Sequence, residues 1–162
     1  MKNKIITLLA TLFLVFFSNH LFGENLYIES TSMDFDKKKQ LTIFKDKVIF
    51  KTKENKTIKS EYAEYNKKNG LIVLRDQVIL IDQQNNRIEA EYAEYYENKK
   101  LFISKGPTKI ITNEGYVANG KNFLLDNNQN LVKSNDEVII KDKNENTIYL
   151  ENFEFLNKKN IF

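Results

Sequence analysis

The sequence predicts an all-β domain of long antiparallel strands, each bent at a fixed point. Three observations carry this: a thirty-residue repeat, a period of two inside each repeat, and short polar connections between the runs. Leu41, Leu71, Leu101, Leu131 and Ile161 fall 30 residues apart, and each opens a run. A second family of runs precedes these, opening at Ile28, Ile58, Ile88, Val117 and Ile148 with spacings of 30, 30, 29 and 31. The chain therefore holds four full units and a truncated fifth. Such repeats mark stacked supersecondary units, none of which buries its apolar face alone.

In chain order, residues 1–23 come first and stand apart from the repeat. Lys2 and Lys4 precede a 13-residue stretch, Ile5 to Phe17, that is apolar except for Thr7 and Thr11. A basic start and a short apolar core form the pattern of a secretory signal, and a spanning helix needs about 20 apolar residues. The expectation is a signal peptide over 1–23, with Gly23-Glu24 as the cleavage point, or a retained anchor if the span runs on to Phe22, and an exported domain over 24–162.

The composition then narrows the chemistry. The 162 residues carry 25 Lys plus Arg against 22 Asp plus Glu, a net charge of +3, with no Cys and one His. That balance is too even for a protein held mainly by nucleic-acid phosphates, so no nucleic-acid partner is expected. Without Cys there is no thiolate nucleophile, cysteine metal site or disulfide framework. The one His, His20, lies in the signal segment, which leaves the exported domain without imidazole. Ser-His-Asp catalysis, His-ligated metals and the commonest general base go with it. No catalytic residue, metal or cofactor is expected.

The strands follow from Leu26 onward. Polar clusters at 36–39, 66–70, 97–100, 126–130 and 157–160 stand at one end of the runs, and clusters at 53–56, 82–86, 112–115 and 141–146 at the other. Connections this short suit hairpins, since parallel neighbours need long crossovers. The alternation breaks inside each run: Leu41 and Ile43 differ in parity from Val48 and Phe50, and Leu71 and Val73 from Val78 and Leu80. In the preceding runs Ile58 and Ser60 differ from Ala63 and Tyr65 in the same way. Asp46, Asp76, Gly106 and Asp136 mark the breaks, again 30 apart, and Pro107 sits at one of them. A bulge or bend at each mark is expected to return both apolar sets to one face and turn the strands between two sheets. A sandwich, jelly-roll or partly open barrel all satisfy this pattern.

The repeat I-x-A/S-x-x-A-E-Y, a turn, then L-x-V/L-x-x-D/G-x-V-x-I/L is carried by IKSEYAEYNKKNGLIVLRDQVIL (58–80) and IEAEYAEYYENKKLFISKG (88–106). It resembles the OstA-like family, the periplasmic lipopolysaccharide-transport proteins of Gram-negative bacteria, from Glu24 to the last residue. The resemblance implies a bent antiparallel β-jelly-roll with an apolar groove that carries the acyl chains of lipid A. It also implies open ends that stack edge to edge on other jelly-roll transport proteins. The family includes a soluble bridge protein, a membrane-anchored partner and the amino-terminal domain of an outer-membrane barrel. The periplasm is the expected location, with the outer membrane reached through a partner or through a barrel domain following this one. Asp46, Asp76 and Asp136 depart from the Gly of many family units, which survives here only at Gly106. Unit four is degenerate, and the run stops at Phe162, one turn into a strand.

Several readings of the residues stay open. Ile58, Leu71, Val73, Val78, Leu80, Ile88, Leu101 and Ile103 are candidates to line a lipid groove, or else fill a dry core. Leu26, Ile28, Ile148 and Leu150 are candidates for edge docking, or else ordinary protected edges. The tyrosines at 62, 65, 92, 95 and 96 either line a groove mouth or pack across strands. Lysine-rich turns at 37–39, 67–68, 99–100 and 158–159 either meet lipid phosphates or are solvated. Glu61 with Glu64, and Glu91 with Glu94, recur with the repeat as surface decoration does, not as a catalytic pair. The rival from another class is a β-repeat surface or scaffold protein without a lipid ligand, built as a parallel solenoid; bent hairpins fit the pattern better.

Overall fold

The computed structural model describes residues 26–52 and 55–156. The signal-peptide expectation for 1–23 and the last repeat start at Ile161 lie outside these residues. Among the described residues no helix is long and apolar enough to cross a membrane.

The strands are β1 (Tyr27–Glu29), β2 (Ser32–Asp36), β3 (Leu41–Lys51), β4 (Thr57–Asn66), β5 (Leu71–Ile81), β6 (Arg87–Tyr96) and β7 (Leu101–Ile111). Six short ones follow: β8 (Val117–Lys121), β9 (Leu124–Asp126), β10 (Leu131–Ser134), β11 (Val138–Lys141), β12 (Thr147–Leu150) and β13 (Phe153–Leu156). All pairings are antiparallel, and together they make one 13-stranded sheet. β3 to β7 are long and bent, as the repeat predicts. In the degenerate later units the same path is broken into pairs of short strands.

The bend divides the sheet into two leaves. The rear leaf runs β1, β3, β4, β5, β6, β7, β8, β11, β12. The front leaf runs β2, then the other halves of β3 to β7, then β9, β10 and β13. The leaves fold over each other and share one core, in which Phe44 and Ile72 of the front leaf meet Phe50, Ile58 and Leu80 of the rear. This is the bent jelly-roll that the repeat and its resemblance predict.

The corner is made by backbone conformation. Asp46 and Lys47 have φ of 61° and 55°, Asp76 and Gln77 have 62° and 55°, and Gly106 has 79°. At each place two residues of an odd-numbered strand oppose one of its neighbour, which is a bulge and bends the strand. In β7 the bend is held from the link between β8 and β9. Asn122 accepts from Gly106 N at 2.8 Å and donates from Nδ2 to Asp136 Oδ2 at 2.8 Å. Buried hydroxyls line the turn beside it: Thr108 donates to Ser104 Oγ at 2.8 Å, and Phe123 N donates to the same oxygen at 3.0 Å. Asp136 itself has no left-handed backbone, because β10 and β11 are separate strands there.

The connections also repeat. Gln40, Gly70, Lys100 and Asn130 close the front-leaf turns, all with positive φ and all 30 apart. On the rear leaf Asp82 Oδ1 accepts from Gln84 N and Asn86 N at 2.8 and 2.9 Å, and Asp142 repeats this with Asn144 and Asn146 at the same distances. These Asp-anchored turns satisfy backbone donors locally.

Candidate functional site

In an antiparallel ladder, residues directly opposite each other share a face, so the register yields the lining of the interior strand by strand. On the rear leaf one inward row passes from Ile28 through Phe50, Ile58, Leu80, Ile88, Ile110, Ala118 and Ile140 to Ile148. On the front leaf another passes from Phe35 through Thr42, Tyr65, Ile72, Tyr95, Phe102, Leu125 and Val132 to Phe155. The middle of each row is sealed: Phe50, Ile58, Ile72, Tyr95 and Phe102 are fully buried. The ends are open. Phe35 is 58% exposed and Met33 beside it 63%, while Ile148 is 56% and Phe155 48% exposed at the far edge.

The eight groove candidates divide between two faces. Ile58, Val78, Leu80 and Ile88 lie together in the core. Leu71, Val73, Leu101 and Ile103 do not; they are half-buried on the outer face of the front leaf, and Ile72, Leu74 and Phe102 take the inward places. The expected return to one face fails in β3, β5 and β7 for a physical reason. At the bend of β5 Arg75, Asp76 and Gln77 all point outward, so Leu74 and Val78 both face in and the inward parity is kept. The change of parity expected for the preceding runs does occur in β4 and β6, where buried Ile58 and Ser60 are followed by Ala63, and Ile88 and Ala90 by Ala93.

The edge candidates all fall on the two edge strands or beside them. Leu26 and Ile28 are half-buried against the core at the β1 edge, while Ile148 and Leu150 lie on β12, with Ile148 the more exposed. Tyr149 beside them is also exposed.

The tyrosines are split in the same way. Tyr65 and Tyr95 point inward, whereas Tyr62, Tyr92 and Tyr96 belong to a polar ladder on the outer front face. Tyr62 donates to Glu64 at 2.8 Å; Tyr92 and Tyr96 donate to Glu94 at 3.0 and 2.8 Å, and Lys105 Nζ also donates to Glu94. Arg75 stands between the Tyr62 and Tyr92 rings at 5.5 and 6.0 Å and reaches Glu64 at 3.6 Å. Burial pushes the Glu94 carboxyl up, but the bonds from Lys105, Tyr96 and Tyr92 outweigh it and hold the pKa below the ordinary carboxylate value. Burial and the Glu94 bond raise the Tyr92 hydroxyl, and the Glu94 bond comes first in raising Tyr96. Each carboxylate here is neutralised by a cation on the same face.

A hollow of about 480 Å³ lies at the bend of the rear leaf, lined by Gln77, Ile79, Arg87, Glu89, Pro107 and Lys109 among others. Arg87 Nε pairs with Glu89 across it at 2.7 Å. Among the described residues no group of three or more His, Cys, Asp or Glu is placed to hold a metal ion. Among the described residues the arrangement offers a largely apolar interior that reaches both edges, edge strands with one side unpaired, and an outer front face whose Glu64 and Glu94 are paired with cations.

Comparison with known proteins agrees with this architecture. Curated proteins yield no match. Among solved structures, the crystal structure of LptH from Pseudomonas aeruginosa superposes with a TM-score of 0.61 at 10% identity, covering 78% of this chain and 94% of that one. LptH is described as the LptA-homologous periplasmic component of the conserved lipopolysaccharide transport device, and the likeness shows a common fold. The family model described as lipopolysaccharide-assembly, LptC-related matches residues 23–133, which is well over half of the sequence. With a bent antiparallel roll beneath that match, the chain belongs to the LptC-related family of lipopolysaccharide-assembly proteins.

Proposed function

We propose that this domain is a periplasmic transport module that carries lipopolysaccharide acyl chains through the interior of the roll. One observation supports this most: the inward rows, apolar but for Thr42, run out to the edge strands and end in exposed apolar residues, Phe35 with Met33 beside it at one edge and Ile148 and Phe155 at the other. A domain that only needed a dry core would close its rows with polar residues at the edges. Burying acyl chains is worth about 0.8 kcal/mol per methylene, so a multi-chain lipid is held without any reacting group. Transfer then requires continuity of the apolar interior from module to module. The edges β1 with β2 and β12 with β13, unpaired among the described residues, are the strands by which another jelly-roll is added, with Leu26, Ile28, Ile148 and Leu150 at the joint.

Ile58, Val78, Leu80 and Ile88 are the groove residues under this reading, joined by Ile72 and Phe102. They are buried in the closed roll, so a chain enters from an open edge as the leaves part. The same burial supports a second reading, a scaffold whose interior stays dry. Photo-crosslinking separates the two. A photoreactive residue replaces Leu80 or Phe102 inside, and Val73 or Ile103 outside, and the full chain is exposed to lipopolysaccharide. Crosslinks from the inner positions are expected; crosslinks from the outer positions alone, or from none, would sink lipid carriage and leave the scaffold.

A further inference from the structure

The most regular feature of the sequence faces away from the core. Leu41, Leu71, Leu101 and Leu131 stand on the outer front face, each the first residue after a front-leaf turn. Tyr96 lies in the same cross-strand row, directly opposite both Leu71 and Leu101. The turns beside this row carry seven lysines, at 37, 38, 39, 67, 68, 99 and 100, against three carboxylates: Glu97 in a turn, and Asp36 and Asp126 in the row itself, where with Asn66 they alternate with the leucines. All seven lysines are exposed.

Each carboxylate among them has local work. Asp36 accepts from Lys38 N and Lys39 N at 2.9 and 3.1 Å, Asp126 from Asn128 N and Gln129 N at 2.8 and 3.1 Å, and Glu97 from Tyr65 OH at 3.2 Å. The rear-leaf turns have no such excess: among the described residues Asp82, Glu114, Asp142 and Glu145 stand against Lys56, Lys141 and Lys143. On the outer front face Glu64 and Glu94 are already paired with Arg75 and Lys105. The surplus positive charge is thus concentrated along one rim, next to a leucine row.

We infer that this rim and row form a docking surface for an anionic phospholipid bilayer. Successive lysine turns are two strands apart, so the clusters stand about 9–10 Å from one another along a line. One phosphate cannot touch three such clusters, whereas a plane of headgroups meets them all. An extended polyanion such as nucleic acid has no place for the leucines, but a bilayer does, at the boundary of headgroups and acyl chains. Tyr96, with Lys99 Nζ 5.5 Å from its ring centre, is the aromatic and cation pairing that suits this boundary. The inference stands independently of lipid carried inside the roll.

The test is co-sedimentation of the full chain with phosphatidylcholine vesicles, with and without phosphatidylglycerol. The amino-terminal run, with Lys2 and Lys4 before it, adds to binding of both vesicles and to the anionic excess, so the readout is the part of that excess that the rim variants remove. That excess is expected to fall as salt rises. Combining Lys38→Glu, Lys68→Glu and Lys99→Glu is expected to lower it on the order of a hundredfold, at the usual worth of a lysine near an anionic leaflet. Lys143→Glu, on the other leaf, is expected to leave it unchanged, and Leu71→Ser with Leu101→Ser to reduce it severalfold without altering the salt dependence. The substituted lysines are on solvated turns, and an unchanged thermal transition confirms the fold. Equal partition to both vesicles, a salt-insensitive excess, a triple variant that binds like the parent, or an equal loss with Lys143→Glu would each overturn the inference.

Discussion

Phe44 and Phe50 belong to one strand, yet their rings meet edge to face across the bend, with centroids 5.8 Å apart and planes at 85°. Five residues lie between them, and the left-handed pair Asp46-Lys47 among these turns the strand back on itself. A strand that contacts itself in this way ties the two leaves together without help from any other element. Phe50 is fully buried and also stands opposite Ile58 and Ile28.

Phe50→Ala is therefore expected to cost about 3–5 kcal/mol, the usual loss for an aromatic side chain removed from a packed core. Urea denaturation at neutral pH measures it. A loss below about 1 kcal/mol would mean that the leaves are not packed on each other at this point.

The corners permit a prediction from the protein's own repeat. Gly106 has φ of +79° and open space where a Cβ would stand, so Gly106→Ala meets no atom and costs only backbone strain, about 1–2 kcal/mol. Asp46 and Asp76 hold similar conformations at the matching positions, φ 61° and 62°, so Gly106→Asp is expected to cost less than Gly106→Ala. Gly120 is the contrast. A Cβ there comes within 2.9 Å of Val138 Cγ2 and 3.1 Å of the Glu137 carbonyl, so any side chain at 120 overpacks, for about 1–3 kcal/mol. Thermal melts of Gly106→Ala, Gly106→Asp, Gly120→Ala and Gly120→Asp distinguish the two causes. Aspartate is expected to help at 106 and not at 120.

The ladder around Glu94 sets the dependence of stability on pH. The folded-state pKa of Glu94 is lowered, so its contribution is complete above the unfolded carboxylate value and is lost as pH falls through the folded one. Tyr92 and Tyr96 are raised, so theirs is complete below the unfolded tyrosine value and is lost as pH rises through the folded ones. Stability is expected to be flat through neutral pH and to decline on both sides. Glu94→Gln lowers the plateau, because three donors lose a charged acceptor. It also makes both limbs shallower, since the shifts that produced them shrink. Denaturant midpoints from acid to alkaline pH measure this. Unchanged limbs in the variant would show that other groups carry the pH dependence.

The architecture was legible because its signals are local. Turn clusters, period two and the thirty-residue spacing of the marks each belong to a few adjacent residues, and together they dictate bent hairpins. The faces of the odd strands were not legible from those strands alone. The run Leu71-Ile-Val-Leu74 is apolar on both sides, and its parity is silent. The neighbouring strand held the answer. Ala63 and Tyr65 face in, the turn after Asn66 sets Tyr65 opposite Ile72 and Ala63 opposite Leu74, and opposite residues share a face. Small Ala63 and Ala93 on either side of Leu74 give it room in the core. The bilayer-facing row was hidden for a related reason: the strongest period suggests a core, and its leucines differ from core leucines only in register.

Leu71 and Ile72 therefore offer the sharpest test of that register, because they are adjacent and similar in size but face opposite ways. Ile72 is fully buried between Tyr65 and Tyr95, so Ile72→Asn places an unpartnered amide in the core and leaves a void. The two effects together are expected to cost upwards of about 3 kcal/mol. Leu71 lies on the outer face opposite Asn66 and Tyr96, where water reaches it. Leu71→Asn is expected to cost about 1 kcal/mol or less, the scale of a cross-strand pair on a solvated face. Urea titration of the two variants side by side decides it. If Leu71→Asn proved the more damaging, the inward row would pass through Leu71 and Val73, and the outer leucine row would have to be given up.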